Sequence, residues 1–364
     1  MDVLKAPFPY FGGKSRIAPM VWERFGKVAN YVEPFFGSGA VLLSCPHPGH
    51  TETVNDADGL LCNFFRALQD DPDAVAQYAD YPVSELDLHA RHRWLVHQRA
   101  GVERLLNDPE WYDAKTAGWW VWGISQWIGS GWCARSGKTP YKRPADDSPA
   151  LIAQVREFPM QIPHLGSEGM GIHRQIPHLG SEGRGIHRKI PHLGSEGMGM
   201  HRPAHTHALV EYFHALAARL RRTRVTCGDF ARVLGPSVTF RHGLTAVFLD
   251  PPYDLTERAA VYAVETDAAQ RAREWAIANG DNPMLRIALC GYDSIEMPDD
   301  WQALRWKTAG GYGNQGDGRG RKNAGREVVW FSPNCLNPIE LARDAMTRPL
   351  AVRDTDYTGT LFDL

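Results

Sequence analysis

A chain of 364 residues, 43% hydrophobic and 23% charged, is long enough to bury a full α/β core with a further domain attached, as a soluble globular protein. Its six cysteines (Cys45, Cys62, Cys133, Cys227, Cys290, Cys335) show no paired spacing, which argues against a disulfide framework or a thiolate zinc site and makes a reducing cytosol the default. A formal net charge of −2 excludes a uniformly basic nucleic-acid binder, so a DNA partner has to be met by basic residues gathered on one face.

The amino terminus runs directly into Pro7-Phe8-Pro9-Tyr10-Phe11-Gly12-Gly13-Lys14-Ser15, with no secretory leader in view, and no apolar run in the chain reaches membrane-spanning length. Gly12-Gly13-Lys14-Ser15 looks like the end of a phosphate-binding P-loop, but the spacing rejects it: position 8, where that motif needs glycine, is Phe8, and no apolar strand precedes it. Lys14 is then a cation expected near a nucleotide or DNA.

Ala29-Asn30-Tyr31-Val32 reads as a short strand entering Glu33-Pro34-Phe35-Phe36-Gly37-Ser38-Gly39, a glycine turn that opens the apolar helix beginning Ala40-Val41-Leu42-Leu43. Gly37 and Gly39 let the backbone turn tightly and approach a ligand, while the helix start presents free amides. The dinucleotide fingerprint needs a third small residue where this chain has Leu42, which disfavours a nicotinamide cofactor. Glu33 suits a cofactor with a cationic portion, such as the amino group and sulfonium of S-adenosylmethionine. Asp56, ending Thr53-Val54-Asn55-Asp56, is placed to meet a ribose.

Helices are expected over 59–68 and 84–106, the second with Ser84 and Asp87 as its cap. Residues 111–132 hold Trp111, Trp119, Trp120, Trp122, Trp127 and Trp132. The spacing of Trp119, Trp122 and Trp127 favours a packed face over base stacking. Trp132 falls outside that period, beside Arg135 and Lys138, and is the expected DNA contact. Lys138, Tyr141, Lys142 and Arg143 make a basic segment with an aromatic interleaved, either a phosphate-contacting loop or an ordinary solvated one.

Three near-identical units then start at Ile162, Ile176 and Ile190 with a period of 14 residues, each with too few apolar residues for a core layer. They read as a glycine-rich loop expanded by duplication. Its Arg174, Arg188, Lys189 and Arg202 either track a DNA backbone or decorate a surface insertion. Its histidines recur at spacings of 9 and 5, which no common zinc pattern uses, so no metal site is expected.

From Ala208 a helical pattern resumes with Leu209, Tyr212, Phe213, Leu216 and Leu220 and ends among arginines. Val225-Thr226-Cys227 is a strand leading to Gly228-Asp229-Phe230, and Thr245-Ala246-Val247-Phe248-Leu249 is another leading to Asp250-Pro251-Pro252-Tyr253. In an open α/β sheet, groups beyond the carboxyl ends of strands meet ligand rather than core. Pro251 and Pro252 stiffen the turn, Pro251 keeps a free carbonyl, Asp250 adds an acceptor and Tyr253 a flat face. Two acceptors beside a ring describe a pocket for a planar group bearing an amine, such as the 6-amino group of adenine. Leu285-Arg286-Ile287-Ala288-Leu289-Cys290 and Glu327-Val328-Val329-Trp330-Phe331 supply further strands. Between them, 310–325 is a glycine-rich loop whose Arg319, Arg321 and Lys322 are candidate DNA clamps. The tail beyond Pro333 has little pattern.

The segment from Pro7 to Lys14, the Glu33–Val41 turn, Asn55-Asp56, Cys227-Gly228-Asp229-Phe230 and Asp250-Pro251-Pro252-Tyr253 resemble, in order, the motifs of Dam-like DNA adenine methyltransferases. The resemblance covers roughly residues 1–70 and 205–335. It implies an α/β class I methyltransferase (Rossmann-like) fold, with helices on both faces of the sheet and a target-recognition domain inserted between its halves. The division expected is 1–80 for the cofactor half, 81–204 for the recognition region with its repeat at 162–203, 205–335 for the catalytic half and 336–364 for the tail.

The resemblance implies S-adenosylmethionine as cofactor, held by Tyr10, Gly12, Gly13, Lys14, Glu33, Pro34, Phe35, Gly37, Ser38, Gly39, Asn55, Asp56, Asp229 and Phe230. It implies that Asp250, Pro251, Pro252 and Tyr253 hold an adenine flipped from double-stranded DNA. Trp132, Arg135, Lys138, Lys142, Arg143, Arg319, Arg321 and Lys322 are the candidate DNA contacts, and no metal is involved. Gly129–Lys138 only partly follows the family's Asn-Gly-rich segment. Such an enzyme acts in the cytoplasm of a prokaryote or is phage-encoded. A cognate restriction enzyme, regulation by methylation and phage self-defence all use this chemistry. Other readings are a same-fold methyltransferase acting on DNA cytosine, an RNA base or a protein glutamine, and a non-catalytic DNA-binding relative. Asp250 and the size of the insertion favour DNA adenine.

Overall fold

The computed structural model describes residues 4–10, 13–48, 51–99, 101, 104–108, 110–127, 132–133, 203–252, 267–306 and 326–338, with side chains in the 203–220 helix from residue 208. Seven strands form one sheet: β1 (Asn30–Glu33), β2 (Thr51–Asp56), β3 (Thr223–Cys227), β4 (Thr245–Leu249), β5 (Leu285–Tyr292), β6 (Gln302–Arg305) and β7 (Glu327–Phe331). Their order is β3-β2-β1-β4-β5-β7-β6. Strands β1 to β5 pair in parallel, and β7 runs antiparallel to both β5 and β6. This is the class I methyltransferase arrangement that the motifs implied. Strand order reverses between β1 and β4, so the carboxyl ends of those two neighbours, with Glu33 and Asp250 at them, open onto one crevice.

The central strands are apolar because both faces are covered. Tyr31, Ala246, Phe248, Ala288 and Cys290 join one core, while Val32, Val247, Leu249, Ile287 and Leu289 join the other. The first core continues through Phe64, Phe65, Val75, Trp120, Trp132 and Phe213. Residues on the two sides of position 80 therefore share one interior. The second lies under helix Ala268–Asn279, which contributes Ala268, Ala272 and Ala276 at helical spacing.

Local chemistry sets the helix starts. Asp58 caps Gly59–Asp70 by accepting from the Leu60 amide, Asp71 caps Pro72–Ala79 through Ala74, and Asp113 caps Ala114–Gln126 through Thr116. The helix expected over 84–106 is divided into Glu85–Gln98 and Arg104–Asn107. Gly101 lies between them, and Arg99 turns its guanidinium to Asp58 and the Cys133 carbonyl. Among the described residues no helix is long and apolar enough to cross a membrane.

Candidate active site

The glycine turn after β1 is shaped by backbone conformations that side chains resist: Gly37 and Gly39 have φ of +49° and +69°. Space adds a second constraint, since a Cβ on Gly37 would lie 2.8 Å from the Tyr10 ring and one on Gly39 2.7 Å from Phe36. Asp56, at the end of β2, locks the turn from the side. Its Oδ2 accepts from the Gly37 amide at 3.0 Å and its Oδ1 from the Asp58 amide at 2.9 Å. Burial lifts the Asp56 carboxyl to about 6 despite these amides. Asn55 ties neighbouring loops together, donating to the carbonyls of Pro34 and Gly228 and accepting from Thr226.

Glu33 is 2% exposed, and its Oε2 accepts from the Tyr31 hydroxyl at 2.9 Å. Burial drives its carboxyl well above the usual range, and the neighbouring Asp250 adds to that, against the Tyr31 hydroxyl and the Leu42 amide. A buried acid of this kind gains most from a cationic ligand.

At the end of β4, Asp250 Oδ2 meets the Lys14 ammonium at 2.9 Å, with the lysine side chain 3% and the aspartate 19% exposed. Burial raises the Asp250 carboxyl, while Lys14 and the Cys290 thiol oppose the rise. Lys14 also stands 6.0 Å from the centre of the Trp306 ring. The sequence placed Lys14 near a nucleotide or DNA; the structure places it on the acid at the heart of the site. Pro251 is buried behind that acid and Pro252 is half-buried.

One cavity of about 310 Å³ joins these parts. Tyr10, Gly13, Lys14, Glu33, Pro34, Phe35, Gly37, Ser38, Asn55, Asp56, Asp229, Phe230, Asp250 and Pro252 all line it, as does Asp58, which the sequence reading did not single out. Gly39 and Pro251 are not among the lining residues, though each belongs to a turn that contributes to the lining. Asp229 and Phe230 follow β3; the Asp229 carboxylate caps the short 3-10 helix Phe230–Val233 and is paired with Arg271, which holds it below the usual range.

Trp132 requires a correction. Expected to meet DNA, it is 8% exposed and its indole N–H donates to the Trp120 carbonyl at 3.1 Å. Gly123 makes the room, because a Cβ there would come within 2.0 Å of the Trp132 ring. The expected 119/122/127 face packs inward: Trp122 is fully buried and Trp119 and Trp127 lie partly buried against the core, with Trp120 fully buried beside them. Gly12, Tyr253, Arg135, Lys138, Lys142, Arg143, Arg319, Arg321, Lys322 and the 162–203 repeat up to residue 202 lie outside the described residues. Among the described residues no three His, Cys, Asp or Glu side chains gather as metal ligands do.

A seven-stranded sheet of this order, with a glycine turn after its first strand and one continuous crevice at its switch point, is the fold of class I methyltransferases. Residues 10–103 match the family model described as D12 class N6 adenine-specific DNA methyltransferase, which bears out the resemblance to Dam-like DNA adenine methyltransferases. A comparison with curated proteins finds no match.

Proposed function

We propose that this protein transfers a methyl group from S-adenosylmethionine to the 6-amino group of an adenine flipped out of double-stranded DNA. The observation that carries the reading is a single cavity lined at one end by Asp56, Asp229 and the glycine turn, and at the other by Asp250 and Pro252. The residues fit such a cofactor. Glu33 is a buried acid suited to a cation, Asp56 keeps lone pairs beyond those given to two amides and suits a ribose diol, and Phe230 offers a purine an apolar wall. When bound, S-adenosylmethionine supplies an electrophilic methyl group on its sulfonium.

The rest of the work falls to the chain. An adenine amine is a poor nucleophile because its lone pair is delocalised into the ring. Hydrogen bonds from its two protons to the Asp250 carboxylate and the Pro251 carbonyl localise that pair and aim it. Lys14 engages Oδ2 of Asp250, which leaves other acceptor positions on the carboxylate for the amine. By opposing the effect of burial, Lys14 favours the ionised form of the acid, the form that accepts. A raised carboxyl is also a better acceptor for the proton that the amine must shed. The target atom is inaccessible inside a stacked duplex, so the base has to leave the stack to reach this recess, with Tyr253 as the proposed stacking platform.

The test incubates the purified chain with unmethylated duplex DNA and S-adenosylmethionine, then analyses the digested nucleosides by mass spectrometry. N6-methyladenosine that vanishes in Asp250→Ala supports the reading. Methylcytosine would contradict the assignment of the base, and DNA binding without any methylated base would make this a binding protein.

A further inference from the structure

The Asp229 carboxylate is held on both oxygens by one side chain that the cavity itself does not include. Arg271, on helix Ala268–Asn279, donates from Nη1 to Asp229 Oδ2 at 2.9 Å and from Nη2 to Oδ1 at 3.0 Å. The same guanidinium lies 4.9 Å over the centre of the Phe230 ring, and Phe230 in turn stacks on Phe35 with centroids 4.9 Å apart and planes 32° from parallel. Arg271 thus joins the acid and the ring that line one end of the cavity into a single unit, Phe35-Phe230-Arg271-Asp229. Helix Ala268–Asn279 enters the site at Ala268, a lining residue one turn before Arg271.

Counting acceptor positions shows what this unit can recognise. A carboxylate offers about four lone-pair sites. On Oδ1, one goes to Arg271 and one to the Ala231 amide at 2.9 Å; on Oδ2, one goes to Arg271. One position, on Oδ2, is left for a donor. A purine bearing an amine at carbon 6 has such a donor, whereas a purine bearing an oxo group there presents an acceptor to an acceptor.

Resting on the cofactor reading above, we propose that Arg271 is a positioning residue for the purine of the methyl donor, fixing Asp229 so that its one free acceptor selects a 6-amino over a 6-oxo ring. A flexible single-point donor does this less well than a planar fork, which holds both oxygens in one plane. The pair is half-exposed, so its removal leaves no charge stranded in the core.

The experiment is calorimetric titration of the full chain with S-adenosylhomocysteine and S-inosylhomocysteine, which needs no turnover. The wild-type chain is expected to bind the adenosyl compound and prefer it to the inosyl one. Arg271→Ala should weaken adenosyl binding roughly tenfold, the scale of one charge-assisted hydrogen bond, and narrow the preference, with Arg271→Lys between the two. In an Asp229→Asn background, Arg271→Ala should add little, since its effect passes through that carboxylate. A variant that keeps wild-type affinity and preference, or an Arg271 effect undiminished by Asp229→Asn, overturns the proposal while leaving the cofactor reading standing. A wild-type chain that binds neither compound removes the cofactor reading, and the role of Arg271 with it.

Discussion

Two acids of the cavity, Asp56 and Asp250, are held by different means. Asp56 is held by main-chain amides of Gly37 and Asp58, groups that are present whatever the side chains do. Asp250 is held by the ammonium of Lys14, a side chain on a separate segment of sequence. An acid fixed by backbone is part of the turn it closes, and its orientation costs nothing further when ligand arrives. An acid paired with a single buried ammonium keeps further acceptor positions that a ligand amine can use. In the function proposed above, Asp56 would be a fixed part of the turn facing the cofactor, and Asp250 would divide its acceptors between Lys14 and the entering amine.

Four substitutions put that contrast under pressure. The largest effect is expected from Asp250→Ala, which should lower methyl transfer by about 10³-fold, the scale of losing a pre-oriented charge-stabilising group, with affinity for S-adenosylhomocysteine retained. An equal loss of cofactor affinity would show that the two ends are not separate. Gly37→Ala comes next. Its φ of +49° and the Tyr10 ring 2.8 Å from the new Cβ should cost about 1–3 kcal/mol of strain, read as a lower melting temperature together with weaker cofactor binding.

Lys14→Met should reduce turnover about 10–100-fold and move the acid limb of the kcat profile upward, because burial then raises the Asp250 carboxyl unopposed by the ammonium. An unmoved acid limb would separate Lys14 from the ionisation of Asp250. The smallest effect concerns Asp56. Its folded-state carboxyl titrates near 6 against 3.8 ordinarily, so the native apo chain binds the extra proton, and its stability falls as pH rises from about 4 to 6. Ribose hydroxyls favour the ionised form, so affinity for S-adenosylhomocysteine should weaken as pH drops through about 6. In Asp56→Asn that step should disappear; a step that persists belongs to another group.

The legible parts of the sequence were those where chemistry is local. Glycines that must turn, prolines that must stop a strand and unbroken apolar runs in β4 and β5 signal themselves within a few positions, and residues of those turns line one cavity. The pairings that tune the site join distant positions: Lys14 with Asp250, Arg271 with Asp229, Arg99 with Asp58. No periodicity announces them, and Arg271 read alone is a helix-surface arginine. Strand β6, Gln-Ala-Leu-Arg, escaped notice because four residues of mixed polarity at a sheet edge carry almost no pattern. Trp132 misled for a related reason: basic neighbours suggested an exposed loop, whereas Gly123, nine positions earlier, had already cleared its place inside.

Arg219 has a consequence for how this chain can change over time. Its guanidinium grips both oxygens of Glu52 on β2, at 2.7 and 2.8 Å, so the helix Pro203–Leu220 is fastened to the sheet by its own last turn. That helix and Ala114–Gln126 both pack on Pro72–Ala79. The interval that carries the 14-residue repeat therefore begins and ends at two points secured independently of what lies between them. Where a connection between two fixed points is flexible, each doubling of its length adds only about 0.6 kcal/mol, so anchors of this kind make a change in length between them inexpensive to the sheet. Anchored ends let evolution vary the length between them while the sheet and its crevice stay as they are.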